Sequence, residues 1–126
     1  MSPEVVAKTV KAYFAAIRAM DIPACVDTFA SDAVTHDPVG SPPNEGRKKI
    51  TEFFQNIMGA FKEVGLTEDE VFIAGNGAAV RWSGRGISQS GHKVHFEGID
   101  VITLNEDGKI QTLHAYWNPA EMMSQL

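Results

Sequence analysis

The hydrophobic period of this chain changes once, and that change limits what it can fold into. In the first half, apolar residues recur at steps of three and four. Val6, Val10, Tyr13, Phe14, Ile17 and Met20 form one stripe, which predicts an amphipathic helix over about residues 3–19. Ser2 suits its N-cap, Pro3 its first turn, and Glu4 the positive end of its dipole. Asp21 is a cap for a short second helix ending near Phe29, and residues 33–37 read as a brief strand. Prolines and glycines over residues 38–46 make a loop. A third helix carries Ile50, Phe53, Phe54, Ile57, Met58 and Phe61 on one face. In the second half the period becomes two. Strands are expected over about 68–74, 78–87, 92–104 and 109–118, with turn residues at 75–77, 90–91 and 105–108. Helices followed by strands predict an α+β fold with a curved, mostly antiparallel sheet, which three helices close into a cone with a cavity.

A chain of 126 residues suits one domain, 1–126. Its net charge of −5, with no basic run, argues against nucleic acid and against an anionic membrane surface. Cys25 is the sole cysteine, so neither an internal disulfide nor a cysteine-ligated zinc site is expected. No apolar run approaches the ~20 residues of a membrane span. The N-terminus lacks the pattern of a secretory signal, so the cytoplasm is the expected compartment.

The segment 95–104 carries one feature that packing alone does not explain. Phe96, Gly98, Asp100, Ile102 and Leu104 alternate onto one face, and the more polar His95, Glu97, Ile99, Val101 and Thr103 onto the other. Asp100 is the single charge-capable group on the apolar face. Pairing Leu104 with Lys109 would set Asp100 opposite Leu113 and Phe96 opposite Trp117. A buried, unpaired carboxyl tends to stay protonated, and so becomes a hydrogen-bond donor. The alternative is a slipped register that leaves Asp100 at an exposed strand edge. Tyr13, on the inward stripe of the first helix, is an ordinary core tyrosine or a second donor aimed at the same point. Asp37 precedes Pro38, which favours extended backbone. It either starts a turn or stands as a base at the mouth of a cavity.

Other groups carry less. His92 and His95 face opposite sides of a strand and cannot share a metal. His36 and Asp37 are adjacent and diverge, which argues against a metal site or dyad. Cys25 reads as a small core residue. The glycine pairs 75/77 and 84/86 lack phosphate-loop spacing. Arg47, Lys48 and Lys49 read as a solvated face.

Several segments resemble bacterial ketosteroid isomerase (steroid delta-isomerase), within the nuclear-transport-factor-like or SnoaL-like superfamily of cystatin-like shape. These are Lys11-Ala12-Tyr13-Phe14-Ala15-Ala16, Phe29-Ala30-Ser31-Asp32-Ala33, Asp37-Pro38-Val39-Gly40-Ser41, Ile50-Thr51-Glu52-Phe53-Phe54 and Gly98-Ile99-Asp100. The resemblance spans essentially the whole chain, and the spacing of Tyr13, Asp37 and Asp100 is similar to the family's to within a residue.

The resemblance implies an isomerase that moves a double bond in a 3-oxo steroid or similar enone. It implies that Asp37 is the general base and that Tyr13 and protonated Asp100 donate to the carbonyl oxygen. Ketosteroid isomerase is itself the known example of a neutral aspartic acid in an oxyanion hole, so that behaviour comes with the resemblance. Phe14, Phe54, Val80, Trp82, Phe96 and Trp117 are the candidate lining for a flat apolar substrate. Neither cofactor nor metal is implied, and a homodimer through the sheets is. The chain departs from the family at Phe54 and Phe29, where tyrosines support the oxyanion tyrosine in the family or in some of its members. Two other readings stay open: a non-catalytic module binding a small apolar ligand, and a cyclase or hydratase of the same fold.

Overall fold

A computed structural model describes residues 1–126. The chain begins with helix α1, Pro3–Arg18, where the Ser2 side chain accepts from the Val5 amide at 3.3 Å and so satisfies one free donor of the first turn. Val6, Val10, Tyr13, Phe14, Ala16 and Ile17 face inward, close to the expected stripe. Helix α2, Ile22–Asp27, starts at Asp21, whose carboxylate caps the Ala24 amide at 3.0 Å. Strand β1, Phe29–His36, is longer than expected, and the two-residue strand β2, Asn44–Glu45, leads into helix α3, Gly46–Met58. Strands β3 (Phe61–Ala74), β4 (Gly77–Ser88), β5 (Lys93–Leu104) and β6 (Ile110–Trp117) follow, then the short helix α4, Pro119–Met123.

Two expectations need correction here. Phe61 does not continue the stripe of α3. The helix ends at Met58 with Gly59 as its C-cap, and Phe61 opens β3 opposite Ser88. Strand β3 therefore begins seven residues before the segment expected at 68–74. The period misleads here because two bulges, between Phe61 and Glu63 and between Glu68 and Glu70, break the alternation of β3. The short helix α4, nucleated by Asn118 capping Ala120 at 3.1 Å, was not anticipated at all.

The six strands lie in the order β2-β1-β6-β5-β4-β3. Only β1 and β6 run parallel; every other pair is antiparallel. The sheet is curled and open, with β2 and β3 at its edges, and the helices cover its concave side. Helix α1 packs on β3 and α3 on β1, so the core lies between the helices and the inner sheet face. Glycines permit the close packing on that face. A side chain on Gly84 would place Cβ 2.6 Å from the Phe96 ring. One on Gly98 would place it 2.6 Å from both the Trp82 ring and the Tyr116 carbonyl oxygen.

Candidate active site

Asp100 sits on the inward face of β5, as the alternation predicts, and is 2% exposed. Its neighbours across the sheet are Val80 on β4 and Ala115 on β6. The expected partner Leu113 is opposite Ile102 instead, and Trp117 faces Gly98 rather than Phe96. The register slips by two residues, so each side chain keeps its face. Its cause is the turn: Leu104 pairs with Ile110, and the ladder is irregular between Thr103 and Leu104.

Trp82, Gly98 and Trp117 form one row across β4, β5 and β6. Because Gly98 has no side chain, both indoles can lean over β5. The Trp82 indole N–H donates to Asp100 Oδ1 at 2.9 Å, reaching its diagonal neighbour on the next strand. The Trp117 indole N–H donates to Asp37 Oδ1 at 2.6 Å. Asp37 follows the last residue of β1 and is half-buried; its peptide bond to Pro38 is cis. The next amide, Val39, donates to the Ala115 carbonyl at 2.8 Å and ties this loop to β6. Tyr13 is 2% exposed and meets Phe14, Phe29 and Phe54 edge-on, with ring centroids 5.1, 5.6 and 6.3 Å away. Its hydroxyl has no side-chain partner in the protein, and no buried polar side-chain atom is sealed off without one. The hydroxyl therefore opens into the hollow that Tyr13 lines.

That hollow brings Tyr13, Asp37 and Asp100 together under an otherwise apolar wall that includes Phe54, Trp82, Phe96 and Trp117. Its cavity volume is about 50 Å³, well under the ~300–1,000 Å³ of small-molecule pockets, so the cleft is narrow and a flat substrate has to widen it. Phe14 and Val80, both expected in the lining, do not line it; each is 0% exposed. Phe14 is one position along the helix from Tyr13 and so points about 100° away. Val80 lies two residues from Trp82 toward the β3–β4 turn and is sealed in the core. Sequence reasoning missed Ile17, Ile57, Met58, Phe61, Val64 and Leu66 as lining. The first three were legible as inward positions of α1 and α3. The last three stand on the part of β3 that went unread.

The environments of the two carboxyl groups differ. Burial pushes Asp37 up to about 6, and the hydrogen bond from Trp117 opposes that rise. Burial, and then the negative charge of Asp37, pushes Asp100 well above the usual carboxylate range, against the pull of the Trp82 hydrogen bond. Burial, and then Asp100, also holds the Tyr13 phenol well above its ordinary value. The arrangement presents two carboxyl groups and one phenol, all with raised proton affinity, to the same space. Chemically, such a set can supply a base and hydrogen-bond donors.

The remaining candidates stand apart. His36 does not pair with Asp37; its ring stacks on His114 at 4.6 Å, nearly parallel at 10°. Cys25 is fully buried on the inner side of α2, its thiol pushed up to about 12 by burial.

The SnoaL-like domain family matches residues 10–113, most of the chain, and this protein belongs to that family. Its relatives include a Steroid Delta-isomerase from Nocardioides simplex, 34% identical over 124 residues that make up 98% of this chain and 97% of that one. Among solved structures, SalBIII, an epoxide hydrolase/cyclase-like enzyme of pyran ring formation in the polyether salinomycin, superposes with a TM-score of 0.82. It is 26% identical, with 92% of each chain covered. The chain is thus ketosteroid isomerase-like in sequence and fold.

Proposed function

We propose that this protein is an isomerase that moves a carbon–carbon double bond in a 3-oxo steroid or similar enone. One observation carries the reading: Tyr13, Asp37 and Asp100 line one apolar hollow, where burial raises both carboxyl groups and the charge of Asp37 raises Asp100 further. Asp37, as carboxylate, takes a proton from the carbon between the carbonyl and the double bond. The electron pair moves into the carbonyl and gives a dienolate. Tyr13 and neutral Asp100 donate hydrogen bonds to the oxygen as its charge grows. Asp37 then returns the proton to the far end of the conjugated system, the electrons flow back, and the double bond has moved into conjugation. Donors preset toward a developing oxyanion in a dry site contribute about 3–4 kcal/mol each. A positioned base contributes about 10²- to 10⁴-fold. The Nocardioides simplex relative supports this reaction class.

Mixing the protein with 5-androstene-3,17-dione and following the conjugated-enone absorbance tests it. Turnover is expected, and Asp37→Asn is expected to lower it by about 10²- to 10⁴-fold. No turnover, or turnover indifferent to Asp37→Asn, rejects the reading.

The likeness to SalBIII favours a second reading, in which the same base and donors serve a cyclase or hydratase. A panel of enones and polyketide mimics separates the two. Steroid binding without isomerisation would point instead to a binding module. Phe29 and Phe54 lend that outcome support, because they leave Tyr13 surrounded by rings with no hydroxyl beside it. We further propose that the chain forms a homodimer through the convex face of the sheet, where Phe72, Ile99, Val101 and Tyr116 are exposed.

A further inference from the structure

Trp82 does more than fill space. An indole N–H can only donate, so whatever lies 2.9 Å from it must accept. In Asp100 that atom is Oδ1. A neutral carboxylic acid has one hydroxyl oxygen and one carbonyl oxygen, and the carbonyl oxygen is much the stronger acceptor, so the indole N–H favours the form with the carbonyl at Oδ1. The acid proton is thereby favoured on Oδ2, the oxygen left free to face the hollow that Asp100 lines.

From this we propose that Trp82 is a positioning residue for Asp100: its N–H fixes which oxygen carries the acid proton, so that the acid donates into the hollow and not back into the sheet. The packing supports such a fixed contact. Trp82 is 3% exposed, lies over Gly98, and is held edge-on by Phe96 at 5.8 Å and Trp117 at 6.2 Å. No other hydrogen bond competes for its N–H. The charge-capable groups sharing this space with Asp100 are Tyr13 from α1 and Asp37 after β1, and neither contacts the Trp82 N–H. Trp117 makes the same contact to Asp37 with the opposite consequence: there it leaves Oδ2 of a carboxylate free to take a proton.

This inference rests on the isomerase reading for its catalytic meaning, but the proton's position can be read without substrate. In the infrared spectrum of the free protein, the carbonyl stretch of protonated Asp100 is the band lost in Asp100→Asn. Two replacements remove the N–H: Trp82→Phe, and site-specific exchange of Trp82 for its benzothiophene isostere, which keeps the ring shape. Both are expected to shift that band to higher frequency, because the carbonyl oxygen loses its donor. Both are also expected to lower kcat about tenfold with KM within about twofold, since the loss is felt in the transition state. If Trp82→Phe fails to fold, the isostere decides. A band that stays in place when the N–H is removed, or one that moves while kcat holds, overturns the proposal. If the parent protein does not turn over enones, the isomerase reading fails by itself, and the band alone decides whether Trp82 sets the proton.

Discussion

Asp37 and Asp100 bring the same functional group into the same hollow and differ in what surrounds it. Asp100 is almost wholly buried, on a strand flanked by Val80 and Ala115, whereas Asp37 sits half-buried where β1 gives way to a loop. The rate is therefore expected to depend on pH through Asp37 first. A plot of kcat/KM against pH should rise through about 6 as Asp37 loses its proton. The same shift has a stability consequence of opposite sign. Asp37 binds its proton more tightly in the folded protein than in the unfolded chain. The stability this contributes is complete below the ordinary carboxylate value and is lost as pH rises through about 6. Asp37→Asn removes the charge and keeps an oxygen for Trp117. In urea unfolding it should be more stable than the parent at pH 8, by about 2–3 kcal/mol, with no such gain at pH 4. Of the site residues, Asp100 was legible because alternation isolates a carboxyl on an apolar face. The two indole N–H contacts were not: Trp82 and Trp117 read as hydrophobic bulk, and only the rule that a buried indole seeks an acceptor could have flagged them.

At the scale of elements, the row Trp82–Gly98–Trp117 makes β5 the strand on which the site depends. Gly98→Ala should destabilise the fold by about 1–3 kcal/mol in denaturant titration, because its Cβ would meet the Tyr116 carbonyl oxygen, which cannot swing aside as a side chain can. It should also weaken catalysis by displacing the Trp82 ring from Asp100. Helix α1 and strands β4 and β5 were legible almost to the residue, since a capping side chain or a clean alternation marks each; α2 begins after its Asp21 cap as expected but ends at Asp27, not near Phe29, which opens β1. Strand β1 was read short because it pairs in parallel with β6 through an irregular register between Phe29 and Val34. The start of β3 was hidden because Phe61 falls three residues after Met58, a spacing that a helix would also satisfy.

For the whole molecule, the concave side of the sheet is spoken for and the convex side is not. Phe72 is 65% exposed, Tyr116 53%, Ile99 45% and Val101 41%, and these are the side chains the proposed homodimer would cover. Sedimentation is expected to show a dimer that Tyr116→Lys shifts toward monomer. No helix is long and apolar enough to cross a membrane.

The chain has only two tryptophans, and both stand in the hollow with their N–H groups on its two carboxyl groups. Tryptophan emission, excited at the long-wavelength edge where Tyr13 and Tyr116 do not absorb, is therefore a local gauge of the hollow. It should change when an apolar compound enters, and step near pH 6 as Asp37 ionises. That step should vanish in Trp117→Phe and survive in Trp82→Phe, which makes each acid visible by its own lamp.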